Sequence, residues 1–104
     1  MDKTRNMKVA IVDIETDSLQ PTLIHCIVAK DLQTSQVLVW DRNNLNQFKD
    51  WSLSIDRFVM HNGISFDAPV LNRLLNTNIK LNQVIDTLIL SQLFNPIREG
   101  GHSL

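Results

Sequence analysis

The sequence has one cysteine, three glycines and three prolines among its 104 residues, and no tyrosine. A single cysteine excludes an intramolecular disulfide framework and is typical of a reducing compartment. That residue, Cys26, lies in the apolar run Leu23-Ile24-His25-Cys26-Ile27-Val28-Ala29, which predicts a buried and unreactive thiol. The composition also excludes a collagen-like or a disordered chain, since 43% of the residues are hydrophobic.

An excess of charge of one sign is also lacking. Ten basic and eleven acidic residues give a formal net charge of −1, so the composition carries no electrostatic indication of bulk DNA binding. Nucleic acid is not thereby excluded as a substrate, because a site filled by divalent cations supplies its own positive charge.

Long hydrophobic runs are absent near the N-terminus. Residues 1–8 mix charges, and the apolar run from Val9 stops at Asp13, which is too short for a signal-peptide core or a membrane span. We therefore expect a soluble, cytoplasmic chain without a membrane partner. Its length supports one small domain at most.

The pattern of apolar residues predicts five strands and three helices. The strands are Lys8–Ile14, Leu23–Lys30, Gln36–Trp40, Arg57–His61 and Gln83–Ile85, and the helices are Asn43–Trp51, Ala68–Leu75 and Thr87–Phe94. The β-branched run of the first strand indicates burial on both of its faces. The element order predicts an α/β fold with a mixed sheet, in which a three-stranded antiparallel meander is joined to two parallel strands with flanking helices.

Two carboxylates, Asp13 and Glu15, end the first predicted strand. Because side chains alternate along a strand, both project from one face and Ile14 points into the core. Adjacent carboxylates raise each other's pKa unless a cation neutralises them, and Mg²⁺ or Mn²⁺ is the natural partner for such oxygen ligands. A strand that simply ends in polar residues explains the same pair, and spacing alone leaves both interpretations open.

A second polar cluster follows the fourth predicted strand, where His61 and Asn62 precede a glycine and Asp67 precedes a helix. Taken alone, Asp67 or Ser65 is best interpreted as the cap of that helix, and His61 and Asn62 as ordinary turn residues. Asp86 is likewise interpreted as the N-cap of the helix that begins at Thr87.

The two clusters together resemble a known family. Asp13-Ile14-Glu15-Thr16 is similar to the first motif of the DEDD superfamily of 3′→5′ exonucleases, in the version found in family A DNA polymerases. His61-Asn62-Gly63-x-x-Phe66-Asp67-x-Pro69 resembles the second motif in polymerases of T7-like phages, and Ile85-Asp86-Thr87-Leu88 resembles the segment that follows it.

The resemblance implies a ribonuclease-H-like fold and hydrolysis of the 3′-terminal phosphodiester of DNA with two divalent metal ions. Asp13 would contact both ions, Glu15 would bind the water-activating ion, and Asp67 would help to hold the other. In the substrate-binding part, Thr16 would meet the 3′-terminal nucleotide of the single strand and Leu19 would wedge against its base. From the second motif, Asn62 would position the first-motif acid or the DNA strand, and the substrate-binding set is completed by His61 and Phe66.

The third motif of the family, Tyr-x-x-x-Asp or His-x-x-x-x-Asp, is absent, because the sequence has no tyrosine and no aspartate after Asp86. We therefore expect a single incomplete exonuclease domain, truncated at its C-terminus, with one impaired metal site and little activity alone. In this fold the third-motif helix packs beside the first strand, so apolar surface should be exposed. That surface would favour a homodimer or a second chain that supplies the third motif, such as the rest of a polymerase.

Two alternatives stay open. The chain could be a catalytically dead exonuclease-fold protein that binds DNA or another protein. RNA could replace DNA as the substrate, although it fits the phage-polymerase motifs less well.

Overall fold

A computed structural model describes residues 7–94 of the protein; residues 1–6, on which the expectation of no targeting segment partly rests, and residues 95–104 lie outside it. The strands are β1 (Val9–Thr16), β2 (Ile24–Asp31), β3 (Val37–Asp41), β4 (Arg57–Met60) and β5 (Val84–Asp86). The α-helices are α1 (Leu45–Ser52), α2 (Ala68–Leu75) and α3 (Thr87–Phe94). Two short elements complete this range: a π-helical turn, Gly63–Asp67, and a 3₁₀ turn, Leu81–Gln83.

The strands form one five-stranded sheet in the order β3-β2-β1-β4-β5. β1 pairs with β2, and β2 with β3, in antiparallel fashion, whereas β1 with β4 and β4 with β5 are parallel pairs. The predicted mixed sheet is therefore confirmed. Because three neighbouring strands run in the same direction, the carboxyl ends of β1, β4 and β5 meet at one edge, which we call the carboxyl edge.

One face of the sheet carries the hydrophobic core. Ala10, Val12 and Ile14 of β1 point to this face, as the period of two along a strand requires. Helices α1 and α2 cover it, chiefly with Phe48 and Leu71, neither of which is exposed to solvent. Burial of this apolar surface is the main stabilising contribution to the fold.

The opposite face of the sheet is uncovered within residues 7–94, so the predicted burial of β1 on both faces is wrong. This open face includes apolar side chains that are between 38% and 61% exposed, namely Ile11, Val28, Val37, Val39 and Ile85, and it ends on β1 in the polar Asp13 and Glu15. A run of β-branched residues reflects strand propensity on both faces alike, so the pattern could not show that no helix within residues 7–94 covers this face. Exposed apolar surface is present on this face, as expected, whereas its link to a third-motif helix stays a prediction.

Cys26 belongs to this open side as well. Cys26 pairs with Glu15. The register shifts between Glu15 and Thr16, so that Thr16 pairs with Ile24 rather than with His25. The thiol is free and only partly buried, which corrects the predicted buried position. The apolar run around it alternates between the two faces, and Cys26 falls on the uncovered one.

The predicted bounds of α2 and α3 agree with the structure. The bounds of the other elements differ from the prediction by at most two residues. The two-residue differences are at the end of β1 and at the start of α1. None of the helix residues of α3 is buried, and Leu93 and Phe94 stand largely in solvent. Within residues 7–94, no helix combines the length and the apolar character needed to cross a membrane.

Candidate functional site

The carboxyl edge brings the polar residues of both motifs together. Ile11 pairs with Val59, and Val59 pairs with Ile85, so the residues two positions further along each strand also lie side by side. These residues are Asp13, His61 and Thr87. All three line a depression of about 380 Å³, whose apolar wall is formed by Ile11, Val12 and Val59.

The turn after β4 is tightly constructed. Asn62 adopts the left-handed conformation, with φ 61° and ψ 31°, and its carbonyl accepts a hydrogen bond from the amide of Phe66 at 2.9 Å. Gly63 is buried, and a Cβ at this position would lie 2.5 Å from the Cβ of Met60 and 2.9 Å from Cγ1 of Val84. Glycine is required here because the backbone approaches β4 and β5 too closely for any side chain.

Asp67 ends the π-helical turn and precedes α2, but it does not cap that helix. Its backbone is already helical, with φ −61° and ψ −49°, and its side chain makes no capping hydrogen bond. The amide of Ala68 instead donates to the carbonyl of Gly63. The capping interpretation is wrong because the π-helical turn runs directly into α2, so the chain turns helical before Asp67 rather than at it.

Asp67 is nevertheless only 6% exposed. Its burial, reinforced by the negative charges of Asp13 and Asp86, raises the pKa of Asp67 to about 7. Asp67 is therefore close enough to Asp13 and Asp86 for their negative charges to repel its ionised form. A cation would relieve this repulsion, and carboxylate oxygens suit a hard divalent ion such as Mg²⁺ or Mn²⁺.

Glu15 projects from the same side of β1 as Asp13 and is exposed. Among residues 7–94, however, no three His, Cys, Asp or Glu side chains are grouped so that they could hold a metal ion. The oxygen donors of Asp13 and Asp67 suit a divalent cation, but Glu15 does not join them in a three-residue group.

The turn after β1 carries two predicted substrate-binding residues. The hydroxyl of Thr16 donates to the carbonyl of Ser18 at 3.0 Å, and Leu19 is 91% exposed. Asp17 closes this turn by accepting hydrogen bonds from the hydroxyl of Thr22 at 2.7 Å and from its amide at 3.1 Å. The Thr22 hydroxyl is also the main cause of a lowered pKa of Asp17. Leu19 therefore projects into solvent from this turn.

The substrate-binding residues predicted from the second motif differ in their surroundings. Nδ1 of His61 lies 2.9 Å from the hydroxyl of Thr87, a partner that sequence reasoning did not assign. Asn62 is partly buried and takes the left-handed position of the turn. Phe66 is partly buried and packs against the hydrophobic core, so its ring has a structural contact in addition to any contact with a substrate.

Asp86 caps α3, as predicted, by accepting hydrogen bonds from the amides of Leu88 at 2.9 Å and Ile89 at 3.4 Å. It also accepts hydrogen bonds from the amides of Asn62 and Ile64, a role that sequence reasoning missed. The parallel pairing of Met60 with Asp86 places these groups side by side, and only that register would have revealed it.

No protein-family model matches this chain, and no curated protein matches its sequence. Among solved structures, it is similar to the family B DNA polymerase from the hyperthermophilic archaeon Pyrobaculum calidifontis. The TM-score is 0.53 at 20% sequence identity, over 70% of this chain and 12% of the polymerase chain. The chain therefore shares its fold with a small part of a DNA polymerase, and the mixed, ribonuclease-H-like sheet is confirmed.

Proposed function

We propose that this chain is part of a 3′→5′ proofreading exonuclease of the DNA-polymerase type, with motifs nearest to those of family A enzymes from T7-like phages. Its reaction is two-metal hydrolysis of the 3′-terminal phosphodiester of single-stranded DNA ends. The observation that carries the proposal is Asp67, a buried carboxylate that caps no helix and lies beside Asp13 at the carboxyl edge. A structural fold alone gives no reason to bury a carboxyl group next to another carboxylate.

In this proposal, Asp13 and Asp67 hold the divalent cations, and Glu15 contributes from the same side of β1. Bound Mg²⁺ or Mn²⁺ would supply activation of water and stabilisation of the departing 3′ oxygen. Thr16 and Leu19 receive the terminal nucleotide from the turn after β1. His61, Asn62 and Phe66 line the path of the strand from the turn after β4.

Residues 1–104 contain no third motif, and in this proposal the remaining ligand comes from outside them, from the rest of a polymerase or from a second chain. The open face supports this idea, since Ile11 lies two residues before Asp13 on the same side of β1 and is 43% exposed. Contiguous exposed apolar patches commonly mark interaction sites. Alone, the chain would therefore hold its second metal ion poorly and show little nuclease activity.

A second candidate function is a binding module that keeps the fold without the chemistry. Two observations favour it: the described residues 7–94 contain no three-ligand metal group, and the open face is apolar. In this alternative, the carboxyl edge or the open face binds a DNA end or another protein. A homodimer through the open face is one form of it.

Titration with Mn²⁺, followed by calorimetry or electron paramagnetic resonance, distinguishes the two candidates. We expect wild-type protein to bind Mn²⁺, and Asp13→Asn and Asp67→Asn to weaken binding about tenfold or more, because each removes a charged ligand. Asp50→Asn on α1 is the matched control, since Asp50 is an exposed carboxylate outside this cluster. Wild-type protein that ignores Mn²⁺ but binds a DNA end or a protein would establish the second candidate instead.

A further inference from the structure

The carboxylate of Asp86 joins two segments that are distant in sequence. Its Oδ1 accepts hydrogen bonds from the amides of Asn62 at 2.9 Å and Leu88 at 2.9 Å, and more weakly from that of Ile89 at 3.4 Å. Its Oδ2 accepts one from the amide of Ile64 at 3.0 Å. Asp86 is 5% exposed, so its carboxylate accepts these hydrogen bonds largely out of solvent.

The segment from Asn62 to Ile64 needs such a partner. Asn62 is in the left-handed region, which a residue with a Cβ occupies only when its surroundings hold it there. Asn62 makes no side-chain capping hydrogen bond at the start of the π-helical turn, and the first amides of a helical segment lack partners within it. Asp86 satisfies two of these amides from outside the segment.

We infer that Asp86 is a positioning residue for the carboxyl edge: by holding Asn62 and Ile64 it fixes the start of the π-helical turn, and thereby the place of Asp67 beside Asp13. The inference rests on the proposed function only in taking Asp13 and Asp67 as cation ligands. The geometric part, in which Asp86 controls the turn, stands independently.

A plain N-cap is the competing explanation, and its consequences differ. A cap uses only the amides of Leu88 and Ile89, so its loss would fray α3 and leave the turn after β4 unchanged. Positioning requires Oδ2 as well, which contacts only the amide of Ile64 among the described residues. Oδ2 therefore serves the turn alone, whereas Oδ1 serves both the cap and, through the amide of Asn62, the turn.

Two variants separate the two oxygens. Asp86→Asn keeps one carbonyl oxygen for the donors at Oδ1, and places an NH₂ group against the amide of Ile64, where two donors face each other. Asp86→Ala removes every acceptor. By amide hydrogen exchange, we expect Ile64 to lose protection about tenfold or more in Asp86→Asn while Leu88 retains it. In Asp86→Ala, all four amides that donate to Asp86 should lose protection.

The second measurement is Mn²⁺ affinity, which we expect to fall about tenfold in Asp86→Asn, as it does when groups that orient metal ligands are removed. Phe48→Leu, in the core on α1 and chosen to match the loss of unfolding free energy, should retain the wild-type affinity. A purely structural role for Asp86 would instead give the two variants equal affinities, and that result would overturn the inference.

Failure of the proposed function is distinguishable. If wild-type protein binds no Mn²⁺, the proposed metal site is refuted, and hydrogen exchange alone tests whether Asp86 positions the turn. Unchanged protection of Asn62 and Ile64 in Asp86→Asn would then refute control of the turn, and selective loss at Ile64 would support it. Asp86→Asn carries both tests if Asp86→Ala does not fold.

Discussion

Asp67 is buried beside Asp13, and burial together with the negative charges of Asp13 and Asp86 raises the pKa of Asp67 to about 7. A carboxyl group with this pKa is half protonated near neutral pH, so the carboxyl edge changes its charge within the physiological range. Several properties of the protein should depend on that titration.

The first is the pH dependence of stability in a metal-free buffer. The folded state holds a proton on Asp67 up to about pH 7, whereas the unfolded chain releases it near pH 3.8. Because the folded state binds more protons between these values, the free energy of unfolding should fall as pH rises from about 4 to 7, by a few kcal/mol at most. Urea unfolding at several pH values, with EDTA present, measures it.

Asp67→Asn is the control for this measurement, because it cannot titrate. The variant should lack this component of the pH dependence and should be more stable than wild-type protein at neutral pH. Parallel curves for the two proteins across this range would contradict the raised pKa.

Proton release on metal binding is a second prediction, and it depends on the proposed site. A cation favours the ionised form of Asp67, so Mn²⁺ binding at pH 7 should release roughly half a proton. Calorimetry in two buffers of different ionisation enthalpy measures the number. Binding without proton release would show that the cation does not interact with Asp67.

Gly63 gives a prediction about the turn itself. Gly63→Ala places a methyl group 2.5 Å from the Cβ of Met60, which belongs to a buried strand and cannot move aside. The free energy of unfolding should therefore fall by about 1–3 kcal/mol. Ser65→Ala, at an exposed position of the same turn, should change it by less than about 0.5 kcal/mol, and equal effects of the two substitutions would show that the turn is not close-packed.

The open face can be tested with one substitution on each side of the sheet. Val12 is 2% exposed and Val39 is 61% exposed. Val12→Ala should lower the free energy of unfolding by about 1–3 kcal/mol, and Val39→Ala by less than about 0.5 kcal/mol. If Val39→Ala in the isolated chain is as destabilising as Val12→Ala, the face is already covered, for example in a homodimer that analytical ultracentrifugation would detect.

The sequence predicts the elements of this fold well where local chemistry determines them. α2 begins and ends as expected because Pro69 suits the first turn and Val70, Leu71 and Leu74 share one face. Burial of β1 on both faces was wrong, since its pattern is the same whether or not a second layer of helices is present. The π-helical turn was missed because no residue pattern distinguishes it from an ordinary turn.

Residue spacing and the family resemblance predicted part of the candidate site. Asp13 and Asp67 are 54 positions apart, yet the two residues were assigned to one site, and the structure brings them into electrostatic contact. The bridging role of Asp86 required the register between β4 and β5, which the sequence does not specify. The assignments of Glu15 and of the substrate-binding residues remain predictions.

The parallel ladders that build the carboxyl edge are short, with three paired positions each between β1 and β4 and between β4 and β5. A slip of β4 by one residue would turn every side chain to the opposite face. Such slippage would send His61 inward and force Phe58 and Met60, each 1% exposed, into water. Burial of Phe58 and Met60 therefore fixes the register that aligns the polar residues. A substitution that alters the size or shape of either side chain can disrupt the carboxyl edge without touching its polar residues.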